Sequence, residues 1–153
     1  MTATIIRFLN IVLVALLAGT SFGIWVGFNP ANYSASTYIE QQQNLLVSLN
    51  TLMVALVLIA TIVTIASAFL QRQNKMAFFA LLTAAFFLAL CIVISRLGNL
   101  PIQTEMLSWN LISPPDTWTE MRDKWWSFHI MRTVAELIAL VIIAWTSAVQ
   151  HKK

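Results

Sequence analysis

"TWTEMRDKWWSFHIMRTVAELIALVIIAWTSAV", residues 117–149, decides the architecture. It opens polar and aromatic and closes as a long apolar run. Thr117 followed by Glu120 has the form of a capping box, which starts a helix near Trp118. No Gly or Pro interrupts the segment as far as Val149. At ~1.5 Å per residue its ~32 residues reach roughly 48 Å, well beyond a ~30 Å hydrocarbon layer. About ten residues must therefore stand above the membrane on one side.

Three further apolar runs accompany it: 5–28, 45–70 and 76–95. Each is close to the ~20 residues that a membrane-crossing helix needs. Backbone groups in lipid must satisfy one another, so each run is helical. The composition agrees. The 153 residues are 59% hydrophobic and 10% charged, against about 25% charged in soluble domains. We expect an all-α integral membrane four-helix bundle, with an amphipathic segment between the third and fourth spans. It forms a single membrane domain, 1–153, with spans at about 5–28, 42–70, 76–96 and 128–149 and an outer cap at 97–127.

Nine Lys/Arg against six Asp/Glu leave a net charge of +3. These charges are too few and too scattered for a nucleic-acid surface, so nucleic acid is excluded as a partner and membrane lipid is expected. Cys91 is the one cysteine, so no internal disulfide or Cys-paired metal site is available. The first run continues through Phe22, Trp25 and Phe28, longer than the 7–15 residues of a signal-peptide core, and is read as a retained helix. Arg7, Arg72, Lys75, Lys152 and Lys153 fall on one side of a four-span arrangement. That bias places both termini in the cytoplasm of a cell (inner or plasma) membrane.

Local signals set further expectations. Thr37 and Glu40 form a second capping box, which starts the second helix near Tyr38. Gly98 ends the third helix and Pro101 bars its continuation. Ile102, Met106, Trp109 and Ile112 recur at helical spacing, as in a short amphipathic helix lying at the interface. Gly19, Gly23 and Gly27 give the first helix a small-residue face. It suits packing within the bundle or a homo-oligomer.

Two polar faces stand out. Glu40, Gln43, Asn50 and Thr61 fall within about 60° of one another on the second helix. On the fourth, Arg122, Trp125, His129, Arg132 and Glu136 are spaced 3, 4, 3 and 4 and share about 80° of arc. Polar groups in a span face the bundle interior, and intramembrane ionisable groups mark functional sites. Glu136 must pair with Arg132 four residues away, be protonated, or face a wet cavity. The same seam also reads as a structural ion pair that locks helix register. His129 also reads as an interfacial anchor, Arg96 as snorkelling to headgroups, and Glu40 as part of its cap. A metal site of His129, Glu136 and Glu40 is chemically possible. No ligand spacing supports it, and none is expected.

"YIEQQQNLLVSLNTLM" (38–53), "RLGNLPIQTEMLSW" (96–109) and "PDTWTEMRDKWWSFHIMRTVAELIAL" (115–140) together resemble the anthrone oxygenase-like family of small four-helix membrane proteins. The resemblance covers nearly the whole chain. Where the family pattern has a second Asn after Asn-x-Pro-Ile, this chain carries Gln103, which keeps the amide on a longer arm. Most members are classed as a domain of unknown function. Fungal members are associated with oxidation of anthrones to anthraquinones, without a cofactor. The resemblance implies the same chemistry on a lipophilic anthrone- or quinol-like substrate at an outward-facing site.

Two functions of different class follow. In the first, the chain is an oxygenase: His129 or Glu136 removes a proton, and Arg96 and Arg132 hold the resulting oxyanion. Glu40, Gln43, Asn99, Gln103, Trp109, Arg122 and Trp125 bind the substrate. In the second, the chain is a non-catalytic binding or accessory protein whose charged cluster is structural or recognises a lipid or partner.

Overall fold

The computed structural model describes residues 2–150. His151, Lys152 and Lys153, two of which entered the charge bias, lie outside the described residues. The chain forms α1 (Thr2–Gly27), a one-turn 3-10 helix (Pro30–Asn32), α2 (Ala35–Leu70), α3 (Lys75–Ile94), a π-helical turn (Ser95–Asn99), α4 (Leu100–Met106) and α5 (Trp118–Gln150). Four helices are long and apolar enough to cross a membrane, with α3, the π turn and α4 acting as one. This is an all-helical, multi-pass membrane protein.

The four long helices run up and down in a ring. α1 packs on α2 and α5, and α3 packs on α2 and α5. Small residues let the helices approach: Ala60 of α2, Ala84 of α3 and Ala139 of α5 are fully buried beside Val14, Leu17, Leu88 and Ile143. Only about a third of each apolar window is buried. Val47, Phe86 and Trp145 point outward with many others. So much outward apolar surface has to be solvated by lipid chains.

A second core sits beneath the outer cap. Tyr38 and Ile39 of α2, Ile102 and Met106 of α4, Trp109 just beyond α4, and Trp125 of α5 pack together. Tyr38 donates its phenolic hydrogen to Met106 Sδ at 3.3 Å. Gln43 Nε2 donates to the carbonyls of Met106 and Trp109 at 3.1 and 3.2 Å. The Met106 carbonyl ends α4 and also accepts from Trp109 N at 3.2 Å, so Gln43 ties the end of α4 and the turn after it to α2 from across the bundle.

Four local expectations change. α2 begins at Ala35, because Ser34 is the N-cap and its Oγ accepts from Thr37 N at 3.3 Å. The Thr37–Glu40 pair therefore lies inside the helix. Gly98 does not end a helix; the chain passes through the π turn into α4, and Pro101 occupies its first turn. A proline is tolerated there because the wide turn eases the clash with the preceding carbonyls. Gly98 serves close approach instead: a Cβ there would stand 2.6 Å from Phe128 Cγ.

The interfacial helix is the third change. It stops at Met106. Ile102, Met106 and Trp109 turn inward against α2 and α5, while Ile112 is 93% exposed. Burial against Tyr38 and Trp125 outweighs what the interface offers those three side chains. Last, the Gly19, Gly23 and Gly27 face points away from the bundle, with nothing within 4 Å of a Cβ at any of them. It does not serve packing within the chain.

Candidate functional site

A cavity of about 570 Å³ lies between α2 and the α3–α4 segment, closed behind by α1 and α5. That volume is typical of sites for small organic ligands. Exposed α2 residues such as Val54 and Leu58 line its open side, so it opens at the depth of the lipid chains. Leu49, Met53, Val57 and Ile92 make one end apolar. Arg96, Asn99, Gln103, Trp125, Arg132 and Glu136 line the cavity too.

Helical phase explains who arrives there. On α5 the buried face carries Trp125, His129, Thr133, Glu136, Ala139 and Ile143, so the 3-4-3-4 seam does point inward. On α2 the buried face runs through Tyr38, Gln42, Met53, Ala60, Thr64 and Ser67. Glu40, Gln43, Asn50 and Thr61 lie about 80–160° off the centre of that face, Asn50 nearest and Glu40 furthest. Glu40 is exposed on a separate outer groove with Tyr33 and Asn44. Gln42 and Asn50, not Glu40 or Gln43, are the α2 amides that line the cavity.

Glu136 is fully buried. It forms no ion pair with Arg132; among the described residues the ion pair present is Arg122 Nε to Asp123 Oδ1 at 2.8 Å. The Cβ of Arg132 tilts toward the outer end of α5 and its long stem carries the guanidinium the same way. Glu136 turns across to α3 instead. Cys91 Sγ donates to Glu136 Oε1 at 3.0 Å.

The wall of the cavity has a distinctive chemistry. Gln42 Oε1, Asn99 Oδ1, Trp125 Nε1, Arg132 Nε and Glu136 Oε2 are buried polar atoms with no hydrogen-bond partner among the described residues. All five belong to residues that line this one cavity. Each such atom costs about 1–3 kcal/mol while unpaired. Three acceptors and two donors, each with almost no accessible surface, are polar groups that a small side-chain rotation would turn to a polar-edged ligand. Asn99 already commits its Nδ2 to the Trp125 carbonyl at 3.1 Å, which leaves its oxygen as the free group.

The other expected residues sit elsewhere. His129 is fully buried behind Trp125 and outside the cavity wall. Its ring stacks on Trp125 at 5.3 Å and on Trp126 at 5.4 Å. Its Nε2 is 3.1 Å from the Ser21 carbonyl. A carbonyl only accepts, so Nε2 carries the hydrogen. Trp109 is in the cap core. Arg122 lies over the Trp118 ring at 5.1 Å. His129, Glu136 and Glu40 do not converge, and among the described residues no three His, Cys, Asp or Glu side chains gather as metal ligands do.

Sequence reasoning missed Gln42 and Cys91. Gln42 could have been found from its phase, since it repeats with Met53, Ala60 and Thr64. Cys91 carries no such signal, because an apolar run is where inert cysteines sit as well.

A family model for anthrone oxygenase matches residues 43–142. The chain belongs to the anthrone oxygenase family. No curated protein and no solved structure matches it. The family region begins one residue after Gln42 and holds every other polar residue named on the cavity wall. α1, which closes the back of the cavity and supplies the Ser21 carbonyl, lies outside it.

Proposed function

We propose that the protein is a cofactor-independent membrane oxygenase acting on a lipophilic anthrone- or quinol-like substrate in the cavity between α2 and α3. The observation that carries this reading is the wall itself. A buried carboxyl, Glu136, and two guanidinium groups, Arg96 and Arg132, line the same space as Trp125. Family membership supports the reaction class.

Glu136 is the base. Its Oε2 takes a proton from the methylene carbon of the anthrone, and the electron pair spreads to the ring oxygen as an enolate. Arg132 and Arg96 hold that oxygen. Such preorganised charge is worth most in a water-poor site. The carbanion forms a C–O bond with molecular oxygen, and the hydroperoxide loses water to leave a carbonyl. One CH2 and one O2 thus become one C=O and one H2O. Gln42 Oε1 and Asn99 Oδ1 accept hydrogen bonds from ring hydroxyls, and Trp125 Nε1 donates to a ring oxygen. Gln103, on the same wall, holds the substrate edge. His129 supports Trp125 from behind.

The substrate arrives from the lipid, and the site faces outward. The protein resides in the cell (inner or plasma) membrane with both termini in the cytoplasm. Oxygen uptake by proteoliposomes given an emodin-type anthrone tests the function, with protein-free liposomes as the baseline. We expect uptake above that baseline, lost in Glu136→Gln and kept in Glu40→Gln. Saturable binding with no uptake would replace this reading by a non-catalytic binding protein.

A further inference from the structure

We propose that Cys91 is a covalent capture site for quinone-type electrophiles that reach the cavity from the membrane. It uses the same cavity as the proposed oxygenase but none of its oxygen chemistry.

Four observations meet at this sulfur. Cys91 is 2% exposed, and the little surface it has belongs to a residue on the cavity wall. The cavity opens at lipid depth, past Val54 and Leu58. The Sγ–H is aimed at a proton acceptor, Glu136 Oε1, 3.0 Å away on α5. Independently, the fully buried Glu136 keeps Oε2 without a partner on that wall, and Arg132 keeps Nε. A thiol beside its own base, facing cations that can hold an oxyanion, has the parts that conjugate addition requires.

The step balances without an added oxidant or reductant. The sulfur lone pair forms an S–C bond at an unsubstituted ring carbon of the quinone. The S–H bond breaks and its proton passes to the Glu136 carboxylate. The displaced electron pair moves onto the quinone oxygen, where Arg132 and Arg96 face the new charge. Glu136 returns the proton to that oxygen, and a ring hydrogen shifts to the second oxygen. The product is a hydroquinone thioether; the two carbonyls gain two electrons, the ring carbon whose C–H becomes C–S loses them, and the sulfur keeps its oxidation state. The tethered ring fills the cavity, so capture shuts the site.

The test uses the full chain in proteoliposomes without oxygen, treated with 1,4-naphthoquinone and read by intact mass. Cys91 is the one cysteine in the sequence, which makes the readout unambiguous. We expect one quinone per chain on Cys91, none in Cys91→Ser, and no reaction of wild type with a charged, water-soluble methanethiosulfonate. Glu136→Gln should react about a hundredfold more slowly, the usual scale of general-base assistance. A normal solvent isotope effect on the wild-type rate reads the same proton transfer without a variant. The proposal is overturned by no adduct, by an adduct that persists in Cys91→Ser, by equal labelling with the charged reagent, or by the absence of an isotope effect. None of these outcomes depends on oxygen uptake, so the proposed oxygenase stands or falls separately.

Discussion

Phe128 of α5 lies directly over Gly98 in the π turn, and a methyl group on that glycine would meet its ring at 2.6–2.8 Å. The contact is backbone against the stem of an aromatic ring, so neither side yields easily. Gly98→Ala should lower stability in detergent melts by about 1–3 kcal/mol, the usual scale of overpacking. Adding Phe128→Leu to it should recover part of the loss. A Gly98→Ala variant as stable as wild type would mean that the two helices are further apart.

Gly23 is the opposite case. Its Cβ would meet nothing, and it sits inside a helix. Gly23→Ala should raise stability by about 0.5–1 kcal/mol through backbone entropy alone. If the outward glycine face instead seats a second copy of the chain, the same change will lower the oligomer's mass in mild detergent. Light scattering separates the two outcomes.

Gln43 and Glu40 are three residues apart with different duties. Gln43→Ala removes both hydrogen bonds to the end of α4, and each is worth about 1 kcal/mol net. We expect a loss of about 2 kcal/mol, against under about 0.5 kcal/mol for the exposed Glu40→Ala. Thermal melts of the two variants side by side check this.

His129 and Glu136 share a helix face but only one of them reaches the cavity. His129→Gln retains an amide hydrogen that can reach the Ser21 carbonyl, and should keep a measurable oxygen uptake. Glu136→Gln should keep the fold and lose the uptake. The reverse pattern would make the histidine the base.

Arg132 and Glu136 make no ion pair but stand one turn apart on the same cavity, so a double-mutant cycle should show coupling at the low end for neighbours. Alanine at both positions should cost nearly as much as the two single changes combined, within about 1 kcal/mol. Recovery of stability in the double variant would show that a locking ion pair forms after all.

The architecture was legible because lipid leaves few options. Four apolar runs of sufficient length, and one helix too long for the bilayer, define the bundle from periodicity and length. The α5 seam was legible for the same reason, since Trp125, His129 and Glu136 repeat in phase and all are buried. The α2 stripe misled because a polar residue near the outer end of a span has two ways to be satisfied. Glu40 takes solvent and Gln43 takes the carbonyls of Met106 and Trp109, which leaves the cavity to Asn50 of the stripe and to Gln42 beside it. Nothing in the local sequence reports where α4 ends relative to α2. Nor does i,i+4 spacing decide between an ion pair and a partner on another helix. Glu136 goes to Cys91, a residue 45 positions away.

The π turn has a consequence for how this chain tolerates change in length. Its five residues, 95–99, hold the slack ahead of α4. A π turn is an α turn widened by one residue, so removing one residue there would restore the α-helix and leave α4 close to its present phase. Gln103 would stay on the cavity, and Ile102 and Met106 in the cap core. A residue lost from the regular part of α3 would instead rotate everything beyond it by about 100°. Single-residue changes of length should therefore be tolerated at the π turn and in the 110–116 connection, and be absent from α3 itself.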